Sequence, residues 1–242
     1  MGSPEQHDLD VDATIVRIQQ QTPTVKSFLF DLGGAQLTFL PGQWVDLYID
    51  TGLSAEVGGY SITSSPLQPG AIELAVKKLP FSPASTYLHD RAREGDTFIM
   101  RGGFGEFYFD QSRTGPLALI AGGIGITPFM SMLRYIDEAG LDVDVTLIYS
   151  ASTASELLFR EELEQLAAHN PGISSVFSVT GPGSQDWDGR CGRIDTALIQ
   201  EQGLPPDTLY YLCGPPGFEE GLSALLGNLG VSPGHIKVER WW

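Results

Sequence analysis

LALIAGGIGITPFMSMLRY, residues 117–135, decides the fold of the chain around it. Its first four residues form a short apolar run, which is typical of a strand buried on both faces. Gly122, Gly123 and Gly125 follow at once, and Pro128 then occupies the first position of a helical pattern, where its fixed φ and missing N–H are tolerated. The stretch therefore predicts a strand, a glycine turn and a helix in direct succession.

This succession of elements predicts an anion-binding site. Unpaired N–H groups and the positive end of the helix dipole converge on the turn, and the missing Cβ atoms allow a pyrophosphate to approach. The spacing is Gly123-x-Gly125-x-x-Pro128, so a proline replaces the third glycine of the dinucleotide fingerprint. Similar turns also join strands to helices without binding a ligand, and the rest of the chain must decide between the two interpretations.

Composition and charge narrow the class of protein. The chain has 242 residues, of which 42% are hydrophobic, enough for one large domain or two smaller ones. It carries 30 acidic and 14 basic residues, a net charge of −16, so nucleic acid and anionic membranes are poor candidate partners. We expect no signal peptide and no membrane span, because the first residues are polar and acidic.

The two cysteines indicate a reducing environment. Cys191 and Cys213 form no C-x-x-C pair and cannot hold an iron–sulfur cluster between them. We therefore expect no metal site and a cytoplasmic location.

The first half of the chain, residues 1–112, predicts a six-stranded antiparallel barrel. Short strands alternate with turn chemistry, and the one helical pattern lies near residues 85–93. The expected strands are 13–18, 27–30, 43–50, 60–63, 72–77 and 97–101.

The second half, residues 113–242, predicts an α/β nucleotide-binding domain. Strands and helices alternate there, which implies a five-stranded parallel sheet with helices on both faces. The expected strands are 117–120, 143–149, 173–179, 208–213 and 235–241, and the helices after the first are 155–168, 195–202 and 216–229.

A barrel followed by a nucleotide fold, together with the motifs below, resembles the ferredoxin–NADP⁺ reductase superfamily along essentially the whole chain. Within it, VGGYSITSSP and the terminal ERWW resemble the oxidoreductase NAD-binding domain-containing subgroup. The resemblance implies a flavin (FAD or FMN), NADH or NADPH, and hydride transfer from nicotinamide C4 to flavin N5 in the cleft between the domains. It also implies that electrons pass to a separate acceptor, such as an electron-carrier protein.

The flavin motif of this superfamily, R-x-Y-S, falls on residues 58–61. By resemblance, Tyr60 lies against the isoalloxazine and Ser61 donates a hydrogen bond to N5. Gly58 replaces the arginine that neutralises the flavin phosphate, and losing such a charge-assisted bond costs about 1.5–3 kcal/mol. Lys77 or Arg101 is expected to supply the missing charge, and the choice between FAD and FMN stays open.

Further flavin contacts follow from the same resemblance. Ser85 matches a serine of the second flavin segment and is expected to cap the next helix, either presenting its N–H groups to phosphate or acting as a plain N-cap. The glycine-rich turn that closes the barrel matches Gly102, Gly103 and Phe104. The other expected flavin contacts are Ile62, Thr63, Val76 and Lys77.

The dinucleotide residues are expected in three loops. The superfamily's glycine turn matches Gly122, Gly123, Gly125, Thr127 and Pro128, and its C-G-P-P loop matches Cys213, Gly214 and Pro215. The small thiol of Cys213 is expected beside nicotinamide C4, although a reactive nucleophile is the alternative. At the adenosine end, Ser150 and Ser152 are expected contacts. Ser152 stands where many relatives have arginine, which favours NADH over NADPH unless Arg190 or Arg193 reaches a 2′-phosphate.

The chain end completes the predicted catalytic set. By alignment with the family's V-E-x-Y ending, Trp241 stacks on the flavin and must move to admit nicotinamide, unless the terminal tryptophans only pack between domains. Glu239 is then placed to orient the site. The predicted catalytic residues are Ser61, Cys213, Glu239 and Trp241.

Two other functions fit the same sequence. The chain is either a reductase that uses free flavin as a substrate, or a non-catalytic nucleotide-binding or electron-relay subunit that keeps the fold and holds flavin poorly. Gly58 in place of the arginine is compatible with both.

Overall fold

The first half of the chain folds into a six-stranded antiparallel barrel. The computed structural model describes residues 10–68, 70–112, 115–181 and 187–240. The barrel strands are β1 (Val11–Thr22), β2 (Val25–Asp31), β3 (Trp44–Asp50), β4 (Ala55–Ser61), β5 (Ala71–Lys77) and β6 (Thr97–Phe104). They lie in the order β4-β3-β6-β1-β2-β5, which confirms the predicted antiparallel architecture.

The barrel closes between its two end strands. Ile62, directly after β4, forms an antiparallel bridge with Leu74 of β5. The alternation along β3 follows the pleat, because Val45, Leu47 and Ile49 are buried while the residues between them are half-exposed. The flavin motif therefore lies at the seam that closes the barrel.

The one helix of this half, α1 (Pro83–Asp90), begins earlier than expected. Its N-cap is Ser82, whose side chain accepts a hydrogen bond from the Ser85 N–H. The expectation that Ser85 caps the helix is wrong, because Pro83 already occupies the first turn and Ser85 lies inside it. The buried Ser85 hydroxyl instead bonds the backbone of Leu79 and Ser82.

The second half is a parallel sheet flanked by helices, as predicted. Its strands are β7 (Leu117–Gly122), β8 (Val145–Ala151), β9 (Ile173–Val179), β10 (Arg190–Cys191), β11 (Leu209–Cys213) and β12 (Ile236–Glu239). Its helices are α2 (Thr127–Glu138), α3 (Arg160–His169), α4 (Thr196–Glu201) and α5 (Phe218–Asn228). The short β10, paired only with Ser178 and Val179, is a sixth strand that the sequence pattern did not reveal.

The segment predicted as one helix over residues 155–168 is broken. A 3-10 turn covers Ala154–Glu156, and α3 starts only at Arg160. Phe159 separates them with φ 59°, a left-handed conformation that a helix cannot pass through.

The sheet order β10-β9-β8-β7-β11-β12 reverses direction beside β7. The strands after β7 extend to one side and β11 returns on the other, so β7 and β11 flank a topological switch point. Ligands of open α/β sheets bind at the carboxyl ends of the strands at such a point.

The two halves share one hydrophobic cluster, while the barrel interior and the other face of the sheet have clusters of their own. Val25, Ala75, Phe107 and Phe109 pack in the same cluster as the buried residues of β7, β8 and α2. In the described part of the chain, no helix has both the length and the apolar character needed to cross a membrane.

Candidate functional site

The glycine turn after β7 and the loop after β11 are packed backbone against backbone. A 3-10 turn (Gly123–Ile126) leads directly into α2. A Cβ added to Gly125 would lie 2.5 Å from the Cys213 carbonyl carbon and 2.7 Å from the Gly214 nitrogen. Gly125 is therefore required by the close approach of two loops and not by the approach of a ligand.

The remaining glycines of these loops have different roles. Gly122 and Gly214 both pack under the ring of Phe218, which leaves no space for a side chain at either position. Gly123 has φ +54°, and a Cβ there would meet nothing within 4 Å. Gly123 is thus the glycine whose open face can receive a phosphate.

Thr127 and Pro128 hold the turn. The Thr127 hydroxyl donates to the Ile124 carbonyl at 2.9 Å, and Pro128 is buried in the first turn of α2. Neither residue presents a free polar group, so the predicted contribution of both is to fix the N–H groups at the start of the helix.

Cys213 and Glu239 lie side by side at the carboxyl ends of β11 and β12, where the register pairs them directly. Cys213 is fully buried and forms no disulfide within the described residues. Burial raises the pKa of Glu239 to about 7 from an ordinary value near 4.5. The predicted stacking residue Trp241 lies outside the described residues.

A cleft of about 230 Å³ runs between the two halves beside this turn. Lys77 of the barrel and Gly123 and Ser152 of the nucleotide half all line it. Ser150 is buried at the end of β8, opposite Gly122. Glu156 also lines the cleft, and its carboxylate accepts a hydrogen bond from the Thr24 hydroxyl at 2.7 Å. Lys77 is the cation that this lining offers to a phosphate at the open glycine.

The two arginines near the adenosine end have different surroundings. Arg190 forms ion pairs with Glu201 and with Asp195, the latter at 3.4 Å. Arg193 is exposed two residues after β10. Of the two candidates for a 2′-phosphate, Arg190 already has its charge compensated.

On the barrel side, the ring of Tyr60 lies over Gly58. A Cβ at Gly58 would come within 2.5 Å of the Tyr60 hydroxyl and 2.6 Å of its ring. The Tyr60 hydroxyl is buried and has no hydrogen-bond partner among the described residues, and burial raises the pKa of Tyr60. A buried hydroxyl of this kind requires a partner, and a polar group of a bound flavin is one that fits.

Most of the other predicted flavin residues are buried or packed against neighbouring side chains. Arg101, one candidate for the missing charge, pairs with Asp10 at 2.6 Å and lies over the Tyr48 ring at 5.5 Å. Lys77 is therefore the better-placed cation. The residues Ser61, Ile62, Thr63 and Val76 are buried, Gly102 packs on Val45, and the Phe104 ring contacts Trp44 at 5.1 Å.

Sequence reasoning missed one polar cluster at this junction. Arg134 of α2 bonds Glu73 of the barrel and Glu162 of α3. The sequence pattern did not single out Arg134, because an arginine on an amphipathic helix normally belongs to the solvent-exposed face.

Fold and site together define a class: a barrel and a parallel sheet that share a nucleotide cleft at the switch point of the sheet. Residues 12–109 match the family described as Oxidoreductase FAD-binding domain, and residues 119–224 match Oxidoreductase NAD-binding domain. The chain belongs to the family of oxidoreductases that combine an FAD-binding and an NAD-binding domain.

Individual relatives agree with this assignment. Oxidoreductase NAD-binding domain-containing protein 1 of Danio rerio is 35% identical over 251 residues, covering 95% of this chain and 91% of that protein. A flavohemoprotein of Bordetella pertussis is 30% identical, covering 93% of this chain and 59% of the relative.

The solved structures give the same fold. The flavohem-like FAD/NAD-binding domain of nitric oxide dioxygenase from Vibrio cholerae superposes with a TM-score of 0.86 at 26% identity, covering 96% of this chain and 98% of that one. A ferredoxin NADP⁺ reductase from Neisseria gonorrhoeae, with bound FAD and NADP, has a TM-score of 0.82 at 24% identity, covering 95% and 98%. The latter likeness supports the fold.

Proposed function

We propose that this protein oxidises NADH, delivers the hydride to a flavin held by the barrel, and passes the electrons to a separate acceptor. The observation that carries the proposal is the junction itself. Lys77 of the barrel and the open Gly123 line one cleft between the halves. The same glycine turn packs on the backbone of Cys213, which pairs with Glu239 at the carboxyl ends of β11 and β12.

Each half then has a distinct task. The N–H groups at the start of α2 bind the dinucleotide pyrophosphate, and Lys77 adds a positive charge across the cleft. The flavin supplies a two-electron acceptor when bound. Tyr60 gives it a hydrogen-bonding hydroxyl, and Ser61, at the end of β4, lies next to it in sequence.

Cys213 and Glu239 form the floor under the nicotinamide in this proposal. The thiol is small, apolar and buried, so it fills space and excludes water. Because the pKa of Glu239 is raised to about 7, this carboxyl group can hold or release a proton near neutral pH.

NADH is the proposed donor. Ser152 brings no charge to the adenosine end, and Arg190 is already paired with two carboxylates. A 2′-phosphate would have to compete with those carboxylates for the Arg190 guanidinium, which disfavours NADPH and leaves the exposed Arg193 as the remaining candidate.

A reductase for free flavin is the second candidate, and one observation favours it. The Tyr60 ring fills the space in which a side chain at position 58 would begin, so the usual arginine has no place without movement of the ring. Weak retention of the flavin phosphate would make the flavin exchangeable.

Purified protein distinguishes these functions. A yellow protein that NADH bleaches without oxygen, faster than NADPH does, supports the proposal, and chromatography of the released flavin identifies FAD or FMN. A colourless protein that oxidises NADH only when flavin is added supports the second candidate. A protein inert in both assays would contradict both.

Adjacent lysines provide a matched pair of variants for this test. Lys77 lines the cleft, whereas Lys78 pairs with Asp90 on the surface at 2.6 Å. Lys77→Gln is expected to raise the KM for NADH or the Kd for flavin about tenfold, since a charge-assisted bond is worth about 1.5–3 kcal/mol. Lys78→Gln should match the wild type. Equal effects of the two substitutions would show that Lys77 does not bind the dinucleotide or the flavin.

A further inference from the structure

One side of α2 attaches the nucleotide half to the barrel through polar contacts. Ser131, Arg134 and Glu138 follow one another at the i, i+3, i+7 spacing that places residues on the same helix face. The Ser131 hydroxyl donates to the Ser64 carbonyl at 2.8 Å, and Gln68 donates to Glu138 at 3.0 Å. Both barrel partners lie between the flavin motif and β5.

Arg134 makes the most extensive of these contacts. Its Nη1 donates to the Thr63 carbonyl at 2.9 Å and to Glu73 Oε2 at 2.6 Å. Its Nε and Nη2 bind both oxygens of Glu162, at 2.6 and 2.8 Å. The side chains of Arg134 and Glu73 are only 17% and 12% exposed, so this ion pair is largely withdrawn from water.

The charge of Arg134 is secured by its partners. Burial alone lowers the pKa of the guanidinium, but hydrogen bonds and charge from Glu162 and Glu73 outweigh it and raise the pKa above its usual value. On the barrel side, Glu73 Oε2 also accepts from the Thr63 hydroxyl at 2.9 Å. The cluster of Arg134, Glu73 and Thr63 is therefore continuous with the end of the flavin motif.

The surrounding backbone is shaped to hold this arginine. The guanidinium lies over the ring of Phe159, 5.3 Å from its centroid. Phe159 has φ 59°, the one positive φ of a non-glycine residue in the described ranges. Such a backbone conformation costs about 1–2 kcal/mol. We infer that contacts of the Phe159 ring, including the one with Arg134, offset this cost.

We propose that Arg134 is a positioning residue, which fixes the glycine turn of α2 against the end of β4 and so sets the approach of the two cofactors. This inference rests on the proposed function. Thr63, which Arg134 grips, is two residues after Ser61. In the other direction, Thr127 begins the same helix two turns earlier, about 10 Å away at 1.5 Å per residue.

The expected consequence is kinetic. Reacting atoms must lie about 3–3.5 Å apart, and a displacement of about 1 Å costs on the order of 100-fold in rate. Loosening the attachment at Arg134 should therefore slow hydride transfer while leaving each cofactor's own binding residues intact.

The test compares two variants of the same helix, with each protein loaded with flavin. Arg134→Gln cuts the attachment to the barrel. Asp137→Asn is the matched control, because Asp137 bonds Asn170 within the nucleotide half. Single-turnover reduction by NADH should fall at least tenfold in Arg134→Gln, with a larger isotope effect for deuterated NADH, while the Kd for NAD⁺ and for flavin changes less than threefold.

A second variant separates positioning from stability. Arg134→Gln leaves Glu73 buried without its partner, which is itself destabilising. The double variant Arg134→Gln/Glu73→Gln removes both charges and should recover most of the lost thermal stability. If the arginine positions the cofactors, this variant stays slow. If it only stabilises the fold, the rate recovers together with the melting temperature, and the inference is overturned.

A cofactor-free measurement gives an independent readout. Hydrogen–deuterium exchange of the empty protein should accelerate selectively at residues 63–68 and in the facing part of α2 in the double variant, and not in Asp137→Asn. Unchanged exchange there would overturn the inference.

The outcomes also separate this inference from the proposed function. A wild-type protein whose flavin NADH does not reduce would contradict the proposed function, and the inference with it. Reduction by the wild type at a rate that the double variant matches would overturn the inference alone.

Discussion

In the nucleotide half, the loops that form the site contact each other through backbone atoms, whereas on the barrel side the site consists of a tyrosine lying over a glycine. Gly125 packs on the main chain of Cys213 and Gly214, so that turn is complete without a ligand. The Tyr60 hydroxyl is buried without a partner in the described part of the chain. The difference teaches that the proposed dinucleotide site is held by backbone packing, while the proposed flavin site contains a polar group that still needs a partner.

The largest expected effect tests the backbone packing of the nucleotide half. Gly125→Ala places a methyl group against backbone atoms that cannot move aside, and overpacking of this kind should lower the free energy of unfolding by about 3 kcal/mol. Gly123→Ala is the matched control. Its Cβ meets open space, and only the positive φ remains as a cost of about 1–2 kcal/mol. Urea unfolding of both variants measures the difference.

The same pair separates folding from binding. In Gly123→Ala, the loss of NADH binding free energy should exceed the loss of free energy of unfolding. The reason is that the new methyl group occupies the open face of the turn. If both alanine variants unfold at the same urea concentration, the distinction between a packing glycine and a binding glycine is wrong.

The second prediction concerns the barrel side. Tyr60→Phe removes a hydroxyl that costs about 1–3 kcal/mol when buried without a partner, so the flavin-free protein should become slightly more stable. Flavin affinity should fall about tenfold, because the complex loses the proposed hydrogen bond between the Tyr60 hydroxyl and the flavin. Tyr135→Phe is the control, since the Tyr135 hydroxyl already donates to Gln111 at 2.6 Å.

Tyr135→Phe should show the opposite behaviour, with a small loss of stability and unchanged flavin affinity. Calorimetric melting and flavin titration of the two variants provide both quantities. A Tyr60→Phe protein that binds flavin as tightly as the wild type would show that the hydroxyl does not face the ligand.

The smallest expected effect concerns Glu239, which lies beside Cys213 at the carboxyl end of β12. Its folded pKa of about 7 lies above the ordinary value near 4.5, so its neutral form is favoured by folding. The resulting stabilisation is complete below pH 4.5 and is lost as the pH rises to about 7. Glu239→Gln should remove this loss, as urea unfolding at pH 5 and pH 8 would measure.

The same carboxyl group should affect ligand binding. Above pH 7 its negative charge attracts the positive nicotinamide ring of NAD⁺, so the affinity for NAD⁺ should rise about threefold between pH 6 and pH 8. Glu239→Gln should bind NAD⁺ with no such rise. An identical pH profile in both proteins would place the nicotinamide away from Glu239.

The succession strand, glycine turn and helix was predictable because each of its parts leaves a local signal. An apolar run, three glycines and a proline determine β7, the turn and α2 within a few residues of one another. The alternation of strands and helices likewise predicted the parallel sheet.

Other features had no local signal. The cap at Ser82 instead of Ser85 depends on where Pro83 enters the helix, and serines at both positions have the same propensity. The two-residue β10 exists only because Ser178 and Val179 offer a free edge. The break at Phe159 requires a left-handed residue that the sequence gives no reason to expect.

The sequence by itself determined the order of the two folds and the residues whose chemistry suits a flavin and a dinucleotide, because periodicity and turn residues act over short stretches of chain. Only the tertiary structure decided which glycine is open, which arginine is already paired, and that Arg134 joins the flavin motif to the glycine turn. The packing of Gly125 on Cys213 and the bonds from Arg134 to Thr63 and Glu73 join residues that are 60 or more positions apart. The pairing of Arg190 depends on how its loop folds against α4, and no local pattern records such contacts.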